Sequence, residues 1–288
     1  MASSQQPAAS SRARDAAAVA LGSIFLVVVS AVATTRVMKP APPLSRDEAA
    51  QWYANVAMND RDDLEFGEIH YSRGLEEPII RDFFKDKRDG YFVDIGANHW
   101  RDDSNTYFLE KERGWSGLAV DALSEFAAGW VKNRPRSEFF VAFVSDVPDA
   151  TETIFVPEKF LLVASSNEEF TKMHEAPGKP REVPTITLDQ LLEKQKVDRV
   201  DLLNLDIELA EPKALAGFDI ERWKPALVCV EAHQYVRQQV LNYMQEHHYV
   251  LVGKYLRVDG MNLYFMPEGT PGPHIPSPKA LTGEAHSH

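Results

Sequence analysis

The chain has 288 residues, 44% apolar and 26% charged, enough for one globular domain of about 200 residues or more with extensions at its ends. A formal net charge of -12 without Lys- or Arg-rich runs makes nucleic acid a poor partner, because an acidic surface repels phosphate backbones. The single cysteine, Cys229, excludes an intrachain disulfide and sits in the apolar run 226-ALVCV-230, where it reads as a small buried hydrophobe.

Residues 1–15 are Ser-, Ala- and Gln-rich and are expected to be disordered. Residues 16–35, AAAVALGSIFLVVVSAVATT, carry no charge. As a helix they would reach about 30 Å, enough to cross a hydrocarbon core, so the segment is expected to be a single-pass membrane anchor. The tripeptide 31-AVA-33 has the form of a cleavage site, and a removed signal peptide is the competing reading. Arg12 and Arg14 before the segment balance Arg36 and Lys39 after it, which leaves orientation open. Residues 36–69 form a linker and lead-in, with three prolines between 36 and 46.

Residues 70–266 carry the expected domain. Strands are predicted at 91–95, 117–121, 139–144, 201–206, 226–232, 249–255 and 262–266, with helical stretches between most of them. Thr187 and Gln190 have capping-box spacing ahead of the Leu188, Leu191, Leu192 stripe. Val236, Val240, Tyr243 and Met244 form a second helical stripe. Continuous apolar strands alternating with helices predict an α/β, doubly wound, mostly parallel seven-stranded sheet covered on both faces. A turn at Asp259-Gly260 would join the last two strands as an antiparallel hairpin, the arrangement of Rossmann-like class I methyltransferases. Residues 152–166 read as an inserted hairpin or edge segment. Residues 267–288, rich in Pro and Gly, read as a flexible tail whose His286 and His288 need no metal role.

In an open α/β sheet, ligands bind beyond the carboxyl ends of the strands. Here those ends carry Asp94, Asp121, Asp146 just past strand three, Asp206 with Glu208, and Glu231 with His233. The turn 94-DIGAN-98 has one glycine, with Asn98 and Arg101 where a dinucleotide fingerprint would have two more. That weakens the dehydrogenase reading, and aspartates would repel a pyrophosphate. A cationic adenosyl ligand without phosphate fits better. Gly96 would let the backbone approach it, Asp94 would face its ammonium, and Asp121 would take its ribose hydroxyls.

The stretch VDIGANHWRDDSNTYFLEKERGWSGLAVDA resembles the opening of the FkbM family of S-adenosylmethionine-dependent methyltransferases. The segments 71-YSRGLEEPIIRDFF-84, 187-TLDQLLEK-194, 201-DLLNLDIELAEPKALAGFD-219 and 229-CVEAH-233 resemble the family's other blocks in the same order. The resemblance implies methyl transfer from S-adenosylmethionine to the hydroxyl of a small molecule or glycan. It places Asp94, Gly96, Asn98, Asp121 and Asp146 at the cofactor, and Asp206 and Glu208 in the Asp-x-Glu after strand four. Leu209 stands where the family usually has Gly, which would narrow the pocket.

His233 is the expected base, because its ordinary pKa lies near working pH and Glu231 could orient it and help hold substrate. Asp206 and Glu208 are the other candidates for base or substrate contact. Asp206, Glu208, Glu231 and His233 could ligate a metal, but their spacing demands none. Ser104-Asn105-Thr106 are expected to begin and cap the first helix. A catalytic domain on the cytosolic side is favoured by cofactor supply. The alternative is a non-catalytic membrane-anchored adaptor or trafficking protein that keeps the fold.

Overall fold

The computed structural model describes Leu64 and residues 70–159, 161–174, 178–256 and 258–270. The expected anchor at 16–35, the N-terminal segment, nearly all of the linker and most of the tail lie outside these residues. Among the described residues no helix is long and apolar enough to cross a membrane.

Seven strands build the main sheet: β1 (Tyr91–Ile95), β2 (Ser116–Asp121), β3 (Ser137–Val141), β7 (Leu202–Leu205), β8 (Leu227–Glu231), β9 (Tyr249–Leu251) and β10 (Asn262–Pro267). Their order is β3-β2-β1-β7-β8-β10-β9, and β10 runs antiparallel to both β8 and β9 while the rest are parallel. The α/β class and the seven strands are as expected. Alternation along the strands feeds two cores. Val93, Ile95, Leu203, Leu205, Val228 and Val230 face one side, where they meet helix α5 (Leu188–Lys194) and helix α8 (Arg237–Glu246). Phe92, Leu202, Leu227, Cys229 and Tyr264 face the other, against Ile79 and Ile80 of helix α1 (Glu76–Phe84) and Leu109 of helix α2 (Tyr107–Arg113). Each such side chain contributes about 1.5–3 kcal/mol by burial, which is why the parallel strands read as unbroken apolar runs.

The helices obey their sequence signals. The Thr187 hydroxyl accepts from Gln190 N at 3.0 Å, and Leu188, Leu191 and Leu192 are buried. The reciprocal half of the capping box does not form, because the Gln190 side chain donates to Asp149 instead. Val240, Tyr243 and Met244 bury one face of α8. Trp115 is fully buried and donates its indole N–H to Lys87 O at 2.8 Å.

Three expectations are corrected. The strand predicted at 139–144 splits: Ala142 N turns to Asp121 O, and β4 (Phe143–Val144) leaves to pair with β6 (Lys179–Ile186). The inserted hairpin has β5 (Thr151–Val156) as one arm, but its long partner is β6; residues 161–163 form a 3-10 turn, and only Ser165 bridges back to Phe155. Pro180 and Pro184 hid β6, since proline is depleted in strands. The strand predicted over 249–255 stops at Leu251, where a 3-10 turn at Gly253–Tyr255 precedes the Asp259 turn. The resulting three-stranded sheet β4-β6-β5 lies between β3 and α5 in sequence and carries helix α4 (Glu168–Met173).

Candidate functional site

The carboxyl ends of β1, β2, β7 and β8 open into a cavity of about 490 Å³ whose lining includes Gly96, Asp121, Phe143, Asp206, Glu231 and His233. That is within the usual range for small-molecule sites.

The turn after β1 is held from two sides. Gly96 N and Ala97 N both donate to Val120 O, at 2.9 and 3.1 Å, and Asn98 N donates to Asp121 Oδ2 at 2.9 Å. Gly96 has φ +81°, and a Cβ added there would lie 1.7 Å from Asp206 O. Glycine is therefore required where the end of β1 crosses the chain leaving β7, besides any approach to a ligand. Asp121 Oδ1 also accepts from Leu123 N at 2.8 Å. Burial raises the Asp121 pKa to about 6, against the pull of these two N–H groups, so it stays ionised at neutral pH. Each oxygen keeps a lone pair for a further donor. Leu123, Phe126 and Phe143 supply an apolar wall to the same cavity.

Asp94 lines the cavity but is 2% exposed, and both its oxygens are committed. Thr106 Oγ1 donates to Oδ2 at 2.7 Å, and Asn204 Nδ2 donates to Oδ1 at 2.9 Å. Asn105 Nδ2 then donates to Asn204 Oδ1 at 3.2 Å. Burial raises the Asp94 pKa, and those two donors oppose it. The Ser104-Asn105-Thr106 segment does not supply the side-chain cap expected of it: α2 has none, and the segment instead ties the loop after β1 to β1 and β7. Arg134, itself buried, holds the same loop by donating to Trp100 O, Thr106 O and the buried Glu110 carboxylate. Asp146 is exposed, accepts from the Ser145 hydroxyl and is not among the residues lining the cavity. The walls near it come from Ala142, Phe143 and Val144.

Asp206, Glu208, Glu231 and His233 do come together. His233 Nε2 lies 3.4 Å from Glu208 Oε2 and 3.3 Å from Glu231 Oε2. Burial, then the neighbouring negative charges, raises Glu208 and Glu231 to about 8. Burial and the Glu231 charge push Asp206 well above the usual carboxylate range. Burial, then the charges of His174 and Arg237, lowers His233 and favours its neutral ring. The Phe170 ring of α4 packs edge-on against the His233 ring, with centroids 5.2 Å apart. Glu208 and Leu209 both have positive φ, +52° and +79°. Leu209 stands in a conformation that favours glycine, and it does not line the cavity, so the expected narrowing is not found.

Four contributors were not anticipated. Asn204, Asn105 and Thr106 form the network under Asp94, and only the asparagine inside the apolar strand 202-LLNL-205 signalled it. The fourth is Glu211, fully buried at the start of helix α6 (Glu211–Ala216), which accepts from Ile207 N at 3.0 Å. Burial raises it to about 8.

A family model described as the Methyltransferase FkbM domain matches residues 94–251. No curated protein and no solved structure matches the chain.

Proposed function

The chain belongs to the FkbM methyltransferase family, whose domain spans more than half of it, and from that premise we propose that it transfers a methyl group from S-adenosylmethionine to a hydroxyl of a small molecule or glycan. The observation that carries the reading is the division of one cavity. Asp121, clasped by two backbone N–H groups, lies beside an apolar wall on one part of it, and a group of carboxylates and an imidazole lies at the other strand ends.

S-adenosylmethionine would supply a methyl group on a positively charged sulfur, whose C–S bond would break as the acceptor oxygen took the methyl, leaving a neutral thioether. Asp121 would hold the ribose hydroxyls, and Leu123, Phe126 and Phe143 would enclose the adenine. Asp94 and Asn204 keep the loop after β1 in place rather than offering free acceptors. The acceptor hydroxyl must be aligned with the methyl group and lose its proton. Asp206 is the better-placed base: it lines the cavity, and burial beside Glu231 makes it more basic than a surface carboxylate. A positive charge beside it favours its ionised form before it accepts the proton. His233, the base expected from sequence, has its Nε2 turned between Glu208 and Glu231 and serves with them to hold the acceptor. The segment at 16–35 would tether the domain to a membrane.

Calorimetry of the full chain with S-adenosylmethionine tests this. Saturable binding that weakens tenfold or more in Asp121→Ala is expected. No binding at millimolar cofactor overturns the reading.

A further inference from the structure

Glu208, Glu231 and His233 meet in the cavity at the ends of adjacent strands. Glu208 follows β7, Glu231 ends β8, and His233 lies two residues beyond, so the sheet itself brings them together. Each offers one ligand atom, and the three atoms lie within 4.8 Å of one another. Glu208 Oε2, Glu231 Oε2 and His233 Nε2 are all buried, and none has a hydrogen-bond partner. Buried polar atoms are almost always satisfied, so three unpartnered ones this close together call for a missing partner.

We propose that Glu208, Glu231 and His233 hold a divalent transition-metal ion in the cavity. Metal–nitrogen and metal–oxygen bonds of about 2.0–2.2 Å, at ligand angles of roughly 90–110°, put ligand atoms about 3.0–3.5 Å apart. The two His233–carboxylate separations, 3.4 and 3.3 Å, fall in that window. Charge points the same way. Among the described residues no Lys or Arg forms an ion pair with Glu208 or Glu231; Arg73 lines the same cavity and acts on Glu208 only at longer range, and Asp206 adds a further carboxylate. A dication offsets two carboxylates without proton uptake. One imidazole with two carboxylates suits Mn²⁺ or Zn²⁺ better than Ca²⁺, which takes oxygen ligands alone. Three protein ligands leave coordination positions open, as in catalytic rather than structural sites. Because all three residues line the cavity, those positions are available to an acceptor oxygen. The Phe170 ring against His233 fixes the plane in which Nε2 points.

The site does not depend on the methyl-transfer reading, and its test contains no S-adenosylmethionine. The full chain is stripped with chelator and titrated with MnCl₂, following free Mn²⁺ by electron paramagnetic resonance and heat by calorimetry. One Mn²⁺ per chain is expected, weakened tenfold or more in His233→Ala and in Glu231→Gln, with Asp102→Asn, an exposed carboxylate, unchanged. Pulsed resonance of the wild-type complex should show coupling to an imidazole nitrogen, a readout that needs no variant to fold. Absence of stoichiometric binding, absence of nitrogen coupling in the wild type, or unchanged affinity in a folded His233→Ala chain would each overturn the proposal.

Discussion

Replacing Gly96 by alanine tests how the sheet forms the site. The new Cβ would sit 1.7 Å from Asp206 O and 2.7 Å from its carbonyl carbon, both backbone atoms that cannot rotate away. Ordinary contact begins near 3.4 Å, so the chains leaving β1 and β7 must part by roughly 1.7 Å. That movement strains the hydrogen bonds Asp206 N to Ile95 O (3.0 Å) and Gly96 N to Val120 O (2.9 Å). Losing both costs about 1–3 kcal/mol, and holding alanine at φ +81° adds about 1–2 kcal/mol. The expected loss is about 2–5 kcal/mol in urea denaturation, with an unchanged m-value. Because the turn that begins at Gly96 also clasps Asp121, S-adenosylmethionine binding should weaken as well. A Gly96→Ala chain within 1 kcal/mol of wild type would refute the close crossing of β1 and β7.

Arg134→Met should cost about 3–5 kcal/mol in the same assay, because it leaves Glu110 buried without its cation and frees the carbonyls of Trp100 and Thr106; a loss under 1 kcal/mol would mean the loop is held elsewhere. Glu211→Gln should flatten the dependence of stability on pH. The folded-state pKa of Glu211 is raised to about 8 from an ordinary 4.5, so its contribution is fully present below pH 4.5 and is lost as pH rises through 8. The variant should gain on wild type by up to about 1.4 kcal/mol per pH unit across that window, and a constant difference would contradict the shift. Leu209→Gly relieves a φ of +79° and should raise unfolding free energy by up to about 1 kcal/mol; a clear loss would show that the half-buried leucine packs for more than its backbone costs.

The central strands were legible because they are buried on both faces. Runs such as 202-LLNL-205 and 227-LVCVE-231 need no tertiary information to be recognised. The small sheet was not, because its long strand contains Pro180 and Pro184 and its partner β4 is two residues long. The strand-tip rule pointed to Asp121, Asp206, Glu208, Glu231 and His233, and the topology brings these five to one cavity. It misplaced Asp146, since it assumed that strand three ran on to residue 144, whereas β3 ends at Val141 and the chain then turns to another sheet. It also took Asp94 for a free ligand. The Asp94–Asn204 bond links residues 110 apart in sequence, and such pairings are fixed by register, not by local pattern.

The insertion of β10 between β8 and β9 has a consequence for biosynthesis. Val228, Cys229 and Val230 of β8 pair on one side with Leu203, Asn204 and Leu205, synthesised before them, but on the other with Leu263 to Phe265, and Glu231 pairs only with Asn262, all of which emerge later. Until residues 262–267 leave the ribosome, the strand that ends in Glu231 is an open edge, able to pair with another chain. Released chains truncated between residues 235 and 260 should therefore be the aggregation-prone species, and the carboxylate–imidazole group should take its final arrangement only after that last strand slides into place.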